Sequence, residues 1–274
     1  MTLTITDKEF ELIAAFIKKN YGISLKHEKK ALVLGRLQQV VMQLGFQTFT
    51  EYYKYVVSDT TGQASTVLIN HMSTNHTYFM RESEHFDYFK QVALPQISDT
   101  IRDKDFRIWC AGCSTGEEAY TLAMILEDFF PQQLMNWDKK LLATDISTKA
   151  LEKAIKGVYS NEALSTMPAA WKAKYMKRLN DRESAFTDSI KKEIIFRKYN
   201  LMSPIMPFKK KFHTIFCRNV MIYFDSETKQ RLIQQFYDLT EPGGYLFIGH
   251  SESLERNQLG YQYVKPSVYR KPFN

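Results

Sequence analysis

Cysteine is scarce in this 274-residue chain, and its scarcity excludes a disulfide-stabilised fold. The three cysteines are odd in number, and two of them, Cys110 and Cys217, lie in apolar, strand-like runs. We therefore expect buried, reduced thiols in a cytoplasmic protein. Cys110 and Cys113 form a Cys-x-x-Cys pair, but a metal site of this kind needs two more soft ligands, and Cys217 alone remains. The sequence predicts no metal.

Long apolar runs are also missing. The longest stretch without a charged side chain, Thr60–Met80, is rich in Thr, Ser, Asn and His and does not predict a membrane span. The first residues contain neither a basic nor an apolar segment, so no secretory signal is predicted. The 44% of hydrophobic residues is nevertheless enough for a sizeable core, and the length is typical of one large domain or two smaller ones.

The net charge of +7 is unevenly distributed. Residues 153–212 carry fourteen basic and five acidic side chains, a surplus of nine, whereas residues 1–74 carry a surplus of two. Such a basic segment favours an acidic partner, which could be a nucleic acid, an anionic lipid or an acidic protein surface. A solvated helical face would carry the same composition, so the alternatives stay open at this point.

Helical periodicity dominates the N-terminal part. Apolar residues recur at helical spacing, and Gly22 and Gly45 follow two of the periodic segments. The predicted helices are Asp7–Asn20, His27–Leu44, Phe49–Val57 and Ala64–Met72. They predict an all-helical N-terminal domain over residues 1–75.

Strands alternate with helices after Pro95. Strands are predicted over residues 106–112, 140–145, 211–219 and 243–252, with a closing hairpin over 261–272, and helices over 117–130, 149–156 and 226–239. This alternation predicts a second domain over residues 76–274, an α/β fold with a Rossmann-like, mostly parallel sheet and an antiparallel C-terminal hairpin. The segment from about 157 to 200, with a helix at Pro168–Leu179 and β-like pieces at Ser184–Phe186 and Ile194–Lys198, predicts a small inserted β-subdomain.

The loop Gly112–Gly116 and Asp145 point to a nucleoside site. Small residues after a first strand let a ligand approach the backbone, and an acidic residue ending the second strand accepts hydrogen bonds from ribose hydroxyls. The loop is not Gly-x-Gly-x-x-Gly, and the carboxylates of Glu117 and Glu118 would repel a pyrophosphate. They suit a cationic nucleoside such as S-adenosylmethionine better. A bare nucleotide-binding fold remains an alternative.

Six blocks of sequence resemble the CheR-type family of chemotaxis receptor methyltransferases, in order along nearly the whole chain. The blocks are STNHTYFMRE (Ser73–Glu82), IWCAGCSTGEEAYTLAM (Ile108–Met124), ATDIS (Ala143–Ser147), YNL (Tyr199–Leu201), IFCRNVMIYFD (Ile215–Asp225) and GYLFIGHSE (Gly244–Glu252). The resemblance implies transfer of a methyl group from S-adenosylmethionine to glutamate side chains of chemoreceptor cytoplasmic helices. The products would be glutamyl methyl esters and S-adenosylhomocysteine, in chemotaxis adaptation.

The resemblance also implies roles for ten residues. Those implied to contact the cofactor are Asn75, Thr77, Arg81, Glu118, Asp145, Asn200, Leu201, Arg218 and Asn219. Arg81 and Tyr223 are the implied catalytic residues beside the transferring methyl group. A glutamate with a reference pKa of about 4.3 is already an anionic nucleophile at neutral pH, so no general base is expected.

Two departures from the family pattern concern the partner. Many members carry several arginines along the second N-terminal helix, but here Arg36 is followed by Gln38, Gln39, Val40 and Met42. Some members bind a receptor tail pentapeptide through a glycine-rich loop, and the matching segment 177–184 has no glycine. The second departure predicts that the protein does not depend on tail tethering. Separately, we expect a monomer that contacts the acidic receptor bundle and is recruited to receptor arrays at the membrane.

Two other functions remain alternatives. A nucleic-acid methyltransferase would agree with the sequence pI of about 9.1, but no Asp/Asn-Pro-Pro-aromatic element is present. A non-catalytic signalling module that binds S-adenosylmethionine would keep the same cofactor residues.

Overall fold

A computed structural model describes residues 3–130, 136–254 and 260–273. The first part contains four α-helices that enclose a separate apolar core. They are α1 (Asp7–Tyr21), α2 (Lys30–Gln43), α3 (Phe49–Ser58) and α4 (Gln63–Met72), with a 3₁₀ turn at His27–Lys29 before α2. The four predicted helices are present with ends shifted by a few residues.

Local sequence explains where α1 begins and ends. The Thr6 side chain accepts from the backbone N–H of Glu9, and the Glu9 carboxylate accepts from the backbone N–H of Thr6, which is a capping box. Gly22 ends the helix at φ +74°, a left-handed conformation that favours glycine. Phe10, Ile13 and Ile17 lie on one face and are buried.

A connecting segment leads from α4 into a nearly continuous helix. Residues 73–82 contain two non-glycine residues in the left-handed region, Met80 at φ +62° and Glu82 at φ +53°. The helix that follows consists of α5 (Ser83–Tyr88), a π-helical turn (Phe89–Ala93) and α6 (Leu94–Ser98). Because left-handed φ values cost energy for residues with a Cβ, the backbone at Met80 and Glu82 is strained.

The main sheet has seven strands in the order β6-β2-β1-β7-β8-β10-β9. They are β1 (Ile108–Ala111), β2 (Leu141–Asp145), β6 (Ile194–Lys198), β7 (Phe212–Cys217), β8 (Thr240–Ile248), β9 (Gln262–Lys265) and β10 (Val268–Arg270). The first five in sheet order are parallel, and β10 and β9 are antiparallel. This confirms the predicted mostly parallel sheet with its closing hairpin.

The chain order reverses beside β1. From β1 the chain builds β2 and β6 on one side and later returns to build β7 and β8 on the other. In open α/β sheets, ligands bind at such a switch point, outside the carboxyl ends of the strands. Strands β1 and β7 are buried along their whole length, which explains their uninterrupted apolar sequences.

Helices cover both faces of this sheet and create two further cores. On one face, α7 (Glu117–Phe129) and the α5–α6 helix pack against Phe216 and Phe247. On the other face, Leu232 and Phe236 of α11 (Ser226–Leu239) pack in the cluster that contains Trp109. Helix α8 (Thr148–Lys156) follows β2. Within the described residues, no helix is both long enough and apolar enough to cross a membrane.

The segment predicted as an insertion forms a three-stranded antiparallel sheet, but two details of the prediction are wrong. The sheet contains β3 (Val158–Ser160), β5 (Glu183–Phe186) and β4 (Met176–Arg178), with helices α9 (Ala169–Tyr175) and α10 (Asp188–Lys191) beside it. The helix predicted to Leu179 ends at Tyr175, because β4 pairs with β5 from Met176 onward. Strand β6 belongs to the main sheet, where it pairs with β2 as the edge strand. Several of its residues are exposed, as is usual for an edge strand, so its sequence lacks the continuous apolar run that predicts a strand of the main sheet.

Candidate active site

A cavity of about 310 Å³ lies at the carboxyl ends of the central strands. Its walls come from the loop after β1, the end of β2, the loop after β7, the connecting segment 73–81 and the residues after α1. This size is at the lower end of the range for small-molecule pockets. The cavity therefore occupies the place at which the strand order predicts a ligand.

The structure brings all ten residues proposed from the sequence around this one cavity. The lining includes Asn75, Thr77, Arg81, Glu118, Asp145, Asn200, Leu201, Arg218, Asn219 and Tyr223. They come from five separate parts of the chain, which the fold brings together. Their contacts with a cofactor and their part in catalysis stay predictions.

The loop after β1 presents bare backbone to the cavity. Gly112 has φ +88°, and an added Cβ would lie 2.4 Å from the Cγ2 atom of Val220, so no larger residue fits. Ser114 also has a positive φ, and its hydroxyl donates to the carbonyl of Asn75 at 3.0 Å. The loop is thus held against the connecting segment, and glycine is required where it packs on Val220.

Asp145 is buried at the end of β2 and oriented by backbone donors. Its Oδ2 accepts from the N–H of Ser114 and its Oδ1 from the N–H of Ser147, both at 2.8 Å. Burial raises the pKa of Asp145, and the two backbone hydrogen bonds oppose that rise. Each carboxylate oxygen has a second lone pair, so the group retains capacity to accept two vicinal ribose hydroxyls.

Arg218 links two carboxylates beside the cavity. Its Nη1 donates to Glu118 Oε2 at 2.7 Å and its Nη2 to Glu82 Oε2 at 3.0 Å, while its side chain is only 2% exposed. Glu82 also accepts from the side-chain amide of Asn219 at 3.1 Å. Burial opposes ionisation of Glu82, but the Arg218 guanidinium prevails and lowers its pKa. Glu82 was missed as a site residue because its left-handed backbone, which turns it inward, has no sequence signal.

Only one of the two glutamates at the start of α7 faces the cavity, so the predicted pair of carboxylates is wrong in this detail. Glu118 lines the cavity, but Glu117 does not: it is buried and accepts from the hydroxyl of Thr115 at 2.6 Å. Burial raises the pKa of Glu117. The cavity therefore receives one carboxylate at the start of α7, and Arg218 compensates its charge. The sequence shows the two residues as neighbours and cannot show which one faces inward.

Arg81 and Tyr223 both line the cavity with unused polar atoms. Arg81 donates one hydrogen bond, from Nη1 to the carbonyl of His76 at 2.9 Å, and its Nε lies 4.0 Å from Glu82 Oε1. Tyr223 belongs to a 3₁₀ turn (Met221–Tyr223), and its hydroxyl has no hydrogen-bond partner among the residues that the structure describes. Both groups remain available to a bound ligand.

The helical part closes one side of the cavity, which the sequence did not predict. Tyr21 and Ile23 line the wall, and the backbone N–H of Ser24 donates to the carbonyl of Tyr223 at 2.8 Å. The Asn200 side chain donates to the carbonyl of Asn20 at 2.7 Å. The two parts of the chain therefore share the site.

These features define a Rossmann-like domain that binds a nucleoside-containing ligand. The switch-point cavity, the open glycine loop and the buried strand-end carboxylate are the parts such a site requires.

Comparison with known proteins identifies the family. The model of the CheR methyltransferase SAM-binding domain matches residues 75–269, and the model of the CheR all-alpha domain matches residues 8–73. The chain belongs to the CheR methyltransferase family, and the family resemblance seen in the six sequence blocks is confirmed. Its larger domain is a methyltransferase domain that binds S-adenosylmethionine.

Full-length relatives agree with this assignment. A "Chemotaxis protein methyltransferase" of Borreliella burgdorferi is 39% identical over 99% of this chain and 96% of its own. A "Probable chemotaxis protein methyltransferase" of Rhizobium etli is 37% identical, over 87% and 90%. The "Chemotaxis protein methyltransferase" of Escherichia coli is 33% identical, over 97% and 92%. The similarity thus covers the helical part as well as the sheet.

Proposed function

We propose that this protein transfers the methyl group of S-adenosylmethionine to glutamate side chains of chemoreceptor cytoplasmic helices, forming glutamyl methyl esters. The observation that carries the proposal is the pair of unused polar groups, Arg81 and Tyr223, at a cavity suited to the cofactor. They can meet an anionic carboxylate, which needs no general base. The names of the full-length relatives support a role in chemotaxis.

The residues of the cavity fit S-adenosylmethionine. Gly112 lines the cavity beside Val220 without a side chain, and the spare lone pairs of Asp145 suit the ribose hydroxyls of the cofactor. The Glu118 carboxylate lines the cavity, where it could bind the ammonium group of the cofactor, and it also forms an ion pair with Arg218. When bound, the cofactor supplies an electrophilic methyl group on a positively charged sulfur.

The chain's own residues would then position the substrate. In our proposal Arg81 would donate a charge-assisted hydrogen bond to one carboxylate oxygen of the substrate, which would leave the other oxygen free to accept the methyl group that the cofactor supplies. The Tyr223 hydroxyl donates to the same carboxylate or packs beside the methyl group. Because opposite charges disappear in the transfer, exclusion of water by the cavity walls favours the reaction.

A methyl-transfer assay tests this proposal. Chemoreceptor-rich membranes are incubated with radiolabelled S-adenosylmethionine, and base-labile release of volatile label reports ester formation. We expect transfer by the wild-type protein, and a loss of about 10- to 100-fold in Arg81→Ala, the value of one charge-assisted hydrogen bond. Calorimetric titration of the variant with S-adenosylhomocysteine separates loss of cofactor binding from loss of positioning. Near-normal transfer by Arg81→Ala would refute the positioning role.

Two further measurements, beside the transfer assay, test the alternatives. Cofactor binding without base-labile label would favour a non-catalytic module. Retention of duplex DNA on a filter at physiological salt would favour a nucleic-acid methyltransferase. No contact in the described residues favours either of them.

We further propose that the protein acts as a monomer and does not depend on a receptor tail. The turn between β4 and β5 closes without glycine, because the Asn180 side chain accepts from the N–H groups of Arg182 and Glu183 at 2.8 and 2.9 Å. An Arg178–Asp181 ion pair also occupies this turn. Titration with a receptor tail pentapeptide should give no submicromolar complex, and light scattering should give the mass of one chain.

A further inference from the structure

Three side chains of types that can bind a metal lie close together beside Arg218, and none of them lines the cavity. Glu82, His85 and His250 place one ligand atom each within 4.8 Å of one another. The Nδ1 atom of His85 lies 3.5 Å from Glu82 Oε2, and the two imidazole rings are 4.7 Å apart at their centroids. Residues from α5 and from the loop after β8 thus converge on one point.

His85 is buried without a hydrogen-bond partner. Its exposure is 0%, and neither ring nitrogen has a partner in the described part of the chain. Buried polar groups in folded proteins are nearly always satisfied, so an orphaned imidazole calls for an explanation such as an ion or a water. Its Nδ1 faces the Glu82 carboxylate, the Arg218 guanidinium is a second charged neighbour, and the His250 ring stands edge-on beside it.

His250 has a partner that suits a metal ligand. Its Nε2 lies 3.2 Å from Glu84 Oε1. A metal-bound histidine commonly gives its second ring nitrogen to a carboxylate, which fixes the ring and raises its basicity. The His250 and Glu84 side chains are 41% and 55% exposed, so an ion can enter from solvent on this side.

We propose that Glu82, His85 and His250 form a binding site for a divalent transition metal of the zinc type, with Glu84 holding His250 in place. Two histidines and one carboxylate with a fourth, open position are a common zinc ligand set. Tetrahedral zinc needs ligand atoms about 3.3 Å apart, so the His85–Glu82 separation is already suitable and His250 has to approach.

The position of this site makes it inhibitory. Glu82 Oε2, the oxygen nearest His85, also accepts from Arg218 and from the backbone N–H of His250. A metal on this oxygen therefore competes with Arg218, which lines the cavity. The methyl transfer itself uses no metal in the proposed mechanism, so occupancy weakens cofactor binding rather than assisting the reaction.

Cobalt titration of the tag-free, full-length protein tests the site. Tetrahedral Co²⁺ absorbs in the visible range, and Zn²⁺ affinity follows from competition with a chromogenic chelator. We expect one ion per chain, and a loss of affinity of at least about 10-fold in both His250→Gln and Glu84→Gln. His71→Gln, a change at an exposed histidine of α4 outside the cluster, should bind as wild type.

Two results would overturn the proposal: no cobalt absorption at equimolar metal, or unchanged affinity in both His250→Gln and Glu84→Gln. Because both side chains are partly exposed, the variants should fold, and far-ultraviolet circular dichroism checks this. A titration of S-adenosylhomocysteine with and without Zn²⁺ gives an independent readout. Wild-type binding should weaken with Zn²⁺, and His250→Gln should be less sensitive; equal sensitivity would contradict the inhibitory role.

Discussion

At the residue scale, the site depends on buried polar groups whose partners are fixed by the protein itself. Asp145 is oriented by two backbone N–H groups, and Arg218 is held between Glu82 and Glu118. Such preorganisation means that little reordering is needed when a ligand arrives. The cost is concentrated in strained residues, Met80, Glu82, Ser114 and Asn219, all of which have positive φ values.

Asp145→Asn should weaken binding of S-adenosylhomocysteine by about 10- to 100-fold, because the amide has one acceptor oxygen and no charge. The NH₂ group of the asparagine would also face the backbone N–H of either Ser114 or Ser147, and that N–H would lose its hydrogen-bond acceptor. Calorimetric titration measures the affinity. Asp99→Asn, at an exposed aspartate after α6, is the matched control and should bind normally. Unchanged affinity in Asp145→Asn would exclude this carboxylate from ribose binding.

Some of these site residues could be predicted from the sequence, and others could not, for a physical reason. Asp145 could be predicted because an acidic residue that follows a buried apolar strand has one obvious place in an α/β sheet. The burial of Glu82 beside Arg218 and of Glu117 away from the cavity depends on backbone conformation and packing, and no pattern of residue types predicts either.

At the element scale, α1 does more than complete the helical core. Its end forms a wall of the cavity, and Gly22 lies so close to the Met202 side chain that an added Cβ would be 2.5 Å from Sδ. Lys18 of α1 also pairs with Asp225 at 2.8 Å. The predicted helix ended at the right place, but an amphipathic pattern does not specify what its exposed end contacts.

Gly22→Ala should lower the free energy of unfolding by about 1–2 kcal/mol from backbone strain, and should also weaken cofactor binding, because the added Cβ displaces the Met202 side chain next to Leu201, which lines the cavity. Gly45→Ala is the control: it has the similar φ of +81°, but nothing lies within 4 Å of its added Cβ. We expect similar strain and normal binding there. Urea unfolding and calorimetric titration measure the two effects. If both variants bound equally well, the contact at Gly22 would not shape the cavity.

The α7–α9 junction depends on one carboxylate. Asp128 accepts from the Trp171 indole at 2.8 Å, from Lys174 at 2.7 Å and from the Tyr175 hydroxyl at 2.6 Å. Burial opposes ionisation, but these hydrogen bonds lower the pKa of Asp128 below its usual 3.8. A lowered pKa stabilises the fold above pH 3.8, and the contribution is lost as the pH falls through the lower, folded value.

Asp128→Asn should therefore reduce the free energy of unfolding at pH 7 by about 1–3 kcal/mol, and the difference from wild type should shrink below pH 3.8. Urea unfolding at both pH values tests this. Asp181→Asn, in a fully exposed ion pair with Arg178, should change little at either pH. A difference that grows on acidification would contradict the pKa argument.

At the scale of the whole molecule, the basic surplus extends beyond the small sheet, because Arg197 and Lys198 lie on β6 of the main sheet and Lys209–Lys211 precede β7. The small sheet packs on the connecting segment, since Phe79 contacts Tyr159 and Phe186 and its carbonyl accepts from Thr166. Arg81, which lines the cavity, follows Phe79 by two residues in the same segment. Under the proposed function, Lys172 of α9 and Lys177 of β4, on this unit, would attract an acidic partner.

Lys172→Glu combined with Lys177→Glu should slow methyl transfer several-fold at low salt, and the rates should converge with wild type at high salt. Lys174 is left unchanged because it pairs with Asp128. Lys8→Glu with Lys54→Glu makes the same charge change on the helical part and should slow transfer less. Initial rates are measured over a range of ionic strength. If the two pairs of substitutions slowed transfer equally, the net charge of the protein, and not the position of Lys172 and Lys177, would determine the rate.

The wall that α1 contributes also couples ligand occupancy to local opening of the helical part. Backbone hydrogen bonding between Ser24 and Tyr223, and the Asn200 bond to Asn20, break when α1 separates from the sheet. A ligand that needs the closed wall must therefore disfavour that separation by mass action. Amide hydrogens near the end of α1 should consequently exchange more slowly in saturating S-adenosylhomocysteine, although few of them touch it.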